Sequence, residues 1–292
     1  MVRCAGERGR QGVRKRSQNV TDDSALRDDD DLAGGDRQFV VALQRGLDIL
    51  RCFRPTDEAL GNQELADRTK LPKATVSRLT YTLSRLGYLV YLEETGRYRM
   101  GVRVLGLGYA CLSGLKIRET AMPYMQALAN HAGDGSLVSL GGRDDLAMIY
   151  IACARSAGMV SLQLNVGSRI SLSRSSMGWA YLAAITEAER AELMPRLAEK
   201  VGSERWPVIE AGIRRAAQEI EERGFCINVG EWHAQVHSVA VPFRMPHQDM
   251  PVLAFNCGGP SYLLSKERLE KDLGPRLVEL VRNVATAGGI YG

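Results

Sequence analysis

The stretch LADRTKLPKATVSRLTYTLSRLGYL, Leu65 to Leu89, constrains this chain most. Two helix-like runs sit almost back to back, split only by Lys70-Leu71-Pro72. Pro72 suits the start of a new helix, where its missing N–H costs little. From Lys73 to Leu86, the residues Val76, Leu79, Leu83 and Leu86 fall on one apolar stripe. At about 100° per residue, the opposite face carries Ala74, Ser77, Arg78, Tyr81 and Arg85, with Lys73 at its edge. Gly87 stops the helix.

The flanking sequence completes a module. VVALQRGLDILRCF predicts a first helix with Val40, Leu43, Leu47 and Leu50 inward and Gln44, Arg45, Asp48 and Arg51 outward, ended by Pro55. NQELADRT predicts a short second helix, capped by Gly61 or Asn62, with Glu64 in its first turn, where the helix dipole favours a carboxylate. Beyond Gly87, Tyr88–Leu92 and Arg97–Met100 predict a hairpin around the turn at 93–96. Three short helices followed by a hairpin make a winged helix-turn-helix.

A DNA major groove admits one helix whose outward side chains are short, polar or cationic. Lys73, Thr75, Ser77, Arg78 and Tyr81 are the candidates on the third helix, and Arg97 and Arg99 on the hairpin. Arg78 and Lys73 can reach guanine acceptors or phosphates, and the hairpin arginines a phosphate or a minor groove. The plainer alternative is the solvated face of an ordinary helical domain. Charge distribution favours DNA. Residues 39–113 carry 11 basic against 7 acidic side chains, whereas 1–38 balance 8 with 8 and 114–292 balance 19 with 19. The whole excess of +4 therefore lies in the segment with the helix pair.

Residues 1–36 read as a disordered tail, first basic, then acidic. Arg14-Lys15-Arg16 in it is either a phosphate contact or a solvated charge run. Residues 37–100 form the winged domain and 101–114 a linker helix. That linker, VRVLGLGYACLSG, is so apolar that it needs a partner, and a second copy of itself is the natural one. Residues 115–292 read as α+β. LKIRETAMPYMQALANHAG, MGWAYLAAI, EAERAELMPRLAEK, WPVIEAGIRRAAQEIEERG and SKERLEKDLGPRLVELVRNVATAGG are helical. GSLVSL, DLAMIYIACA, MVSLQLNVG, RISLSRS, VHSVAVPF and PVLAFNCGG are strands. Together they suggest an antiparallel sheet flanked by helices.

Other chemistry is poorly represented. Cys4, Cys52, Cys111, Cys153, Cys226 and Cys257 form no CxxC pair and read as reduced thiols of a cytoplasmic protein. Four histidines are thin material for a metal site. There is no apolar run of membrane-spanning length and no secretory signal, so no membrane association is expected. No phosphate loop occurs, and Gly141-Gly142 and Gly258-Gly259 lack a dinucleotide-binding frame, so no cofactor is expected. His237 and Cys257 can be posed as base and nucleophile, or as a satisfied histidine and a buried thiol. The rival function is accordingly an enzyme or metabolite-binding protein with the helix-turn-helix as an interaction module.

The chain resembles the IclR family of bacterial transcriptional regulators over about 39–289. The resemblance rests on ALQRGLDIL, ELADRTKLPKATVSRLTYTLSRLGYL and YRMGVRVLGLG, then on SRSSMGWAYLAA, ERGFCINVGEW, VHSVAVPFR and LAFNCGGP. It implies an N-terminal winged helix-turn-helix, a linker helix and a C-terminal GAF-like effector domain. It further implies a dimer, or dimer of dimers, on palindromic operators in double-stranded DNA, with a small organic or aromatic acid as effector. Locally, Ser175 and Ser176 precede a helix, where they either cap it or help bind a carboxylate. The resemblance puts the effector pocket at this loop, with Ser176, Met177 and Gly178 lining it, and near Asn228, His237 and Asn256 on later strands. This polar set departs from that of the regulator that gives the family its name, so that protein's effectors do not carry over. Trp179 and Trp232 are candidates for an aromatic wall or for ordinary packing.

Overall fold

The structure, a computed structural model, describes residues 38–157, 163–244 and 251–287. The tail at 1–36, with its basic run, and residues 159–162 of the expected strand MVSLQLNVG lie outside the described residues.

The N-terminal domain holds α1 (Val41–Arg51), α2 (Asn62–Thr69), α3 (Lys73–Arg85) and a hairpin of β1 (Leu89–Leu92) and β2 (Arg97–Met100). Ile49, Leu60, Leu65, Val76, Leu83, Leu89 and Tyr98 form its core. Lys70 ends α2 in the left-handed region, with φ of 58°, so the chain reverses within three residues. The buried Thr80 hydroxyl bridges α3 to Asn62 Oδ1 on α2 at 3.2 Å. Arg68 and Asp57 pair at 3.0 Å and fasten α2 to the preceding loop, where Arg68 also donates to the Cys52 carbonyl.

The first helix corrects the sequence expectation. Ile49 is its buried residue, while Val40, just before it, Leu43 and Leu47 face outward. The helix has two apolar faces, and only one is used inside the chain. On the α3 stripe, Leu86 at the helix end is likewise exposed.

Helix α4 (Val102–Gly114) coincides with the expected linker and buries none of its residues. Its start is clamped to the winged domain. Arg103 donates to the Leu86 carbonyl at the end of α3. A Cβ on Gly101 would sit 2.2 Å from the Gly87 carbonyl oxygen, so only glycine permits this approach.

The C-terminal domain is a six-stranded antiparallel sheet between helical layers. Its strands are β3 (Leu137–Asp144), β4 (Ala147–Arg155), β5 (Arg169–Ser171), β6 (Cys226–His233), β7 (Val236–Phe243) and β8 (Leu253–Pro260), in the order β5-β4-β3-β8-β7-β6. One face packs on α5 (Lys116–Ala132) and the C-terminal helix, through Met125, Leu140, Val239, Phe255, Leu277 and their neighbours. That helix begins as α9 (Lys266–Arg268), widens into a π turn over Leu269–Leu273 and continues as α10 (Gly274–Ala287). The other face packs on α6 (Ser176–Ala184), α7 (Glu187–Val201) and α8 (Trp206–Arg223), through Met148, Trp179, Leu182, Ile213 and Ala254. This is the expected α+β architecture, with β6 added to the expected strands. Strand β6 breaks its alternation at a register shift between Val229 and His233, where Gly230 has φ of 76°. The described part of the MVSLQLNVG segment is coil and turn, not strand. Among the described residues, no helix is long and apolar enough to cross a membrane.

Candidate nucleic-acid interface and ligand pocket

The outward face of α3 stands clear of the protein. Lys73, Ser77, Arg78, Tyr81 and Arg85 are exposed and Thr75 is half-buried. Among the described residues, neither the Lys73 nor the Arg78 side chain has a protein partner, so both charges remain available to a ligand. Arg99 on the wing is also exposed. Arg97 differs from the expectation. Its guanidinium donates to the Ala59 carbonyl at 2.8 Å and meets the Glu64 carboxylate at 2.7 Å. The Gly61 N–H, followed by Arg97, holds the Glu64 carboxyl below its ordinary value. Arg97 thus binds the wing to α2 and is already committed, so it is dropped as a groove contact.

Helices α1 and α4 also carry apolar residues that are left exposed. Leu43 of α1 is 62% exposed, and Leu105 and Tyr109 of α4 are 74% and 69% exposed. Val40, Leu47, Val102 and Leu107 are exposed as well. Exposed apolar residues this numerous mark a contact surface.

The second site lies between α6 and the sheet. A narrow cleft is bounded by Leu137, Tyr150, Ile170, Ser175, Ser176, Trp232, Ser238 and Asn256, among others. Among the described residues, no Arg, Lys or His lines it. Ser175 caps α6, accepting from the Gly178 N–H at 3.0 Å and donating to the Ser171 carbonyl at 2.6 Å. The capping role proposed for it from sequence is therefore met. Ser176 Oγ pairs with Ser238 Oγ at 2.7 Å. Tyr150 is buried, and that burial pushes its hydroxyl up to about 12.

Of the six expected pocket residues, Ser176 and Asn256 line the cleft and four do not. Met177 is fully buried in the core beneath α6. Gly178 serves packing, because a Cβ there would lie 2.0 Å from the Leu172 carbonyl oxygen. Asn228 braces the cleft from behind. Its Nδ2 donates to the Arg174 carbonyl, and its Oδ1 accepts from the Glu231 and Trp232 amides. His237 misses the cleft because successive strand residues face opposite ways. Ser238 points to α6, while the His237 imidazole meets the Leu264 carbonyl at 2.8 Å. Sequence reasoning missed Ser238, and also Tyr150. Trp232 forms part of the wall, whereas Trp179 is core, its Nε1 bonded to the Ser173 carbonyl and Arg215 stacked over its ring.

The pairing of His237 with Cys257 as base and nucleophile also fails. Cys257 stands opposite Val239, not His237, and is fully buried in the core under α5 and α10. Burial pushes its thiol up to about 12, so it is not a thiolate at neutral pH.

A polar contact links the two halves. Arg51, the last residue of α1, meets Asp144 Oδ1 at 3.4 Å, and the other oxygen of Asp144 binds Arg169 at the start of β5. Two residues on, Ser171 accepts from the Ser175 hydroxyl at the pocket's edge.

Similarity to known proteins falls on both halves. Residues 42–93 match the IclR helix-turn-helix domain, and residues 109–287 match the bacterial transcriptional regulator IclR C-terminal domain. The HTH-type transcriptional regulator TsaQ1/TsaQ2 of Comamonas testosteroni is 34% identical over 248 residues, covering 84% of this chain and 87% of that protein. The crystal structure of an IclR family transcriptional regulator from Brucella abortus superposes with a TM-score of 0.78 at 48% identity, covering 86% of this chain and 94% of that one. An IclR homologue from Microbacterium hydrocarbonoxydans, crystallised in complex with 4-hydroxybenzoate, shares the fold at 22% identity and a TM-score of 0.64, covering 84% of this chain and 96% of that one. With an exposed polar face on α3 in one domain, a polar cleft in the other and family matches to both, the chain belongs to the IclR family of DNA-binding transcriptional regulators.

Proposed function

We propose that the operator affinity of this DNA-binding regulator is set by a small aromatic acid held between α6 and the sheet. The observation that carries this reading is the narrow cleft lined by Trp232 and by Ser175 and Ser176 at the N-terminus of α6. The first-turn amides of Ser176 and Met177 lack intrahelical acceptors, and with the helix dipole they suit a carboxylate. The bound 4-hydroxybenzoate of a protein with the same fold agrees with that ligand class.

On the DNA side, Lys73, Thr75, Ser77, Arg78 and Tyr81 read or grip the major groove, and Arg99 meets phosphate. The exposed faces of α1 and α4 pair two copies of the chain, so that two α3 helices address one palindromic operator. Those helices must enter grooves about one turn, ~34 Å, apart. A small change in how the halves sit is then enough to alter affinity. The Arg51–Asp144–Arg169 bridge connects the DNA-binding domain to the strand beside the pocket and supplies a route for it. The ligand acts by binding one dimer arrangement better than the other.

The test is selection of operator fragments from genomic DNA with the full-length protein. Fluorescence anisotropy at two salt concentrations, with and without a panel of aromatic acids, then measures affinity. Steep salt dependence is expected from phosphate contacts, together with one acid that changes affinity about fivefold or more. Operator binding that no acid alters overturns the effector half of the proposal.

A further inference from the structure

Strand β3 changes character at Gly141. Up to Leu140 it pairs residue for residue with β4. Leu140 faces Ala152 but Gly141 faces Tyr150, so Ile151 is an extra residue and the ladder bulges there. Beyond Gly142, which faces Leu253, β3 also leaves β8. Residues 143–147 therefore project past the sheet as the tip of the β3–β4 hairpin. Strand β5, paired with Ala147–Ile149, belongs to the same arm.

The root of this arm lies against α6. A Cβ on Gly141 would lie 2.5 Å from Met177 Sδ and 2.9 Å from the Ile149 carbonyl oxygen, so glycine is what lets the first turn of α6 press on the bulge. One helical turn further along α6, the buried Tyr181 hydroxyl accepts from Arg143 Nε at 2.9 Å, and the Arg143 guanidinium lies over the Tyr181 ring. The tip is held as a unit. Arg143 donates to the Asp145 carbonyl, and Asp145 stands in the left-handed region with φ of 57° while its carboxylate binds Arg196 of α7 at 2.6 Å. Next to it, Asp144 binds Arg169 of β5 and meets Arg51 of α1 at 3.4 Å.

These contacts are unequal. The arm is bound to α6, α7 and β5 by short, well-buried or multiple contacts, whereas the bond to the winged domain is long and half in water. A shift of about 1 Å at the tip is enough to break a hydrogen bond already near its limit. The tip also stands about 10 Å from the bulge, so it moves further than the root does.

We propose that the β3–β4 arm is a lever hinged at the Gly141 bulge, which carries the position of α6 to Arg51 of α1 and so to operator binding. This deepens the reading of α6 as one wall of a ligand site, on which it rests for what moves the helix. The connection itself stands on Met177, Tyr181, Arg143 and Asp144. It is a two-state contact, latched or open, that α6 biases from one side and DNA from the other.

The test needs no ligand. Tyr181→Phe deletes the hydroxyl by which α6 holds the arm. Arg143→Gln removes the same bond from the exposed side and serves should the buried change disturb the melting curve. Each is made in full-length protein with and without Asp144→Asn. Anisotropy reads affinity for a selected operator fragment, and hydrogen exchange follows residues 48–52 at the end of α1. Each variant is expected to shift operator affinity about threefold or more, in the same direction as Asp144→Asn, and to speed exchange at the end of α1. With Asp144→Asn already present, the added shift falls below about 1.5-fold, because the connection is already broken. A bond that only braces the hairpin would loosen residues 143–147 and leave both α1 exchange and operator affinity in place, and that result overturns the lever. Shifts that multiply in full in the double variants overturn it too, since the effect then bypasses Asp144. Neither result bears on whether an acid binds the cleft, and an acid that fails to bind does not change these expectations.

Discussion

The two halves of the molecule keep the polar groups of their proposed sites in opposite places. In the winged domain, Lys73, Ser77 and Arg78 stand on an outer helix face in water. In the C-terminal domain, Ser139, Ser176, Ser238, Asn228 and Asn256 are buried, and among the described residues no cation lines the cleft. The difference follows from the targets. A DNA backbone is a long polyanion that comes to the surface, so long-range charge is effective and solvated cations can stay where they are. A small acid must be taken out of water, so it needs fixed donors and acceptors in a dry cleft. Outer recognition tolerates loose packing. Inner recognition demands that every neighbouring strand be in register.

The largest expected effect tests whether the outer half works alone. Leu105→Glu combined with Tyr109→Glu puts charge on the exposed face of α4. The protein is expected to sediment as a folded monomer and to lose about 100-fold or more in operator affinity, as two linked reading helices become one. A folded and still dimeric variant in the ultracentrifuge removes α4 from the interface.

Next comes the reading face itself. Arg78→Ala is expected to cost about 1–3 kcal/mol of operator binding and to relax discrimination at one base pair. Ligand affinity should not move, since Arg78 lies in the other domain. Wild-type affinity across a panel of mismatched operators places the reading face elsewhere.

Gly178→Ala probes the inner half by packing. Its new methyl group meets the Leu172 carbonyl, so the effector domain should lose about 1–3 kcal/mol in denaturant unfolding, and acid binding should weaken with it. The winged domain's unfolding should stay where it was. A coincident shift of both transitions makes the halves one cooperative unit.

Smaller still is the acid response of the winged domain. The Arg68 hydrogen bond holds the Asp57 carboxyl below the usual aspartate value of 3.8. The stability this adds is therefore present above 3.8 and is lost as pH falls through the lower native value. Asp57→Asn should cost about 1 kcal/mol at neutral pH and remove that part of the acid slope in circular-dichroism melts. An unchanged slope assigns the acid response to other carboxylates.

The smallest effect concerns the link between the halves. Asp144→Asn breaks a bridge whose side chains are partly exposed, so total stability should change by less than about 1 kcal/mol. The measured quantity is the ratio of operator affinities with and without acid, which should move toward one while each binding step alone persists. A preserved ratio routes the coupling through α4 and α5 instead.

How much was legible from sequence differs between the halves in the same way. The α3 reading face followed from helical period alone, because that helix shows one face to the core and one to water. The period misled for α1, which has an apolar face on each side. Val40, Leu43 and Leu47 looked like core residues and are exposed. Arg97 looked free because Glu64, 33 positions away, cannot be paired with it by local reasoning. In the effector domain, β6 went unseen because its bulge interrupts the alternation that marks a strand. The choice of His237 over Ser238 was an error of one residue, and in a strand one residue changes the face.

The sequence by itself determined the elements, the winged helix-turn-helix, the uncovered linker and the location of excess positive charge. These depend on period, capping and composition, which act over a few residues. Only the tertiary structure decided which side chains share the cleft. Ser176 meets Ser238 across 62 positions, and Asn256 meets Ser139 only because β8 lies beside β3. Contacts of that kind are set by strand register and by which helix covers which face, and no local signal in the chain encodes them.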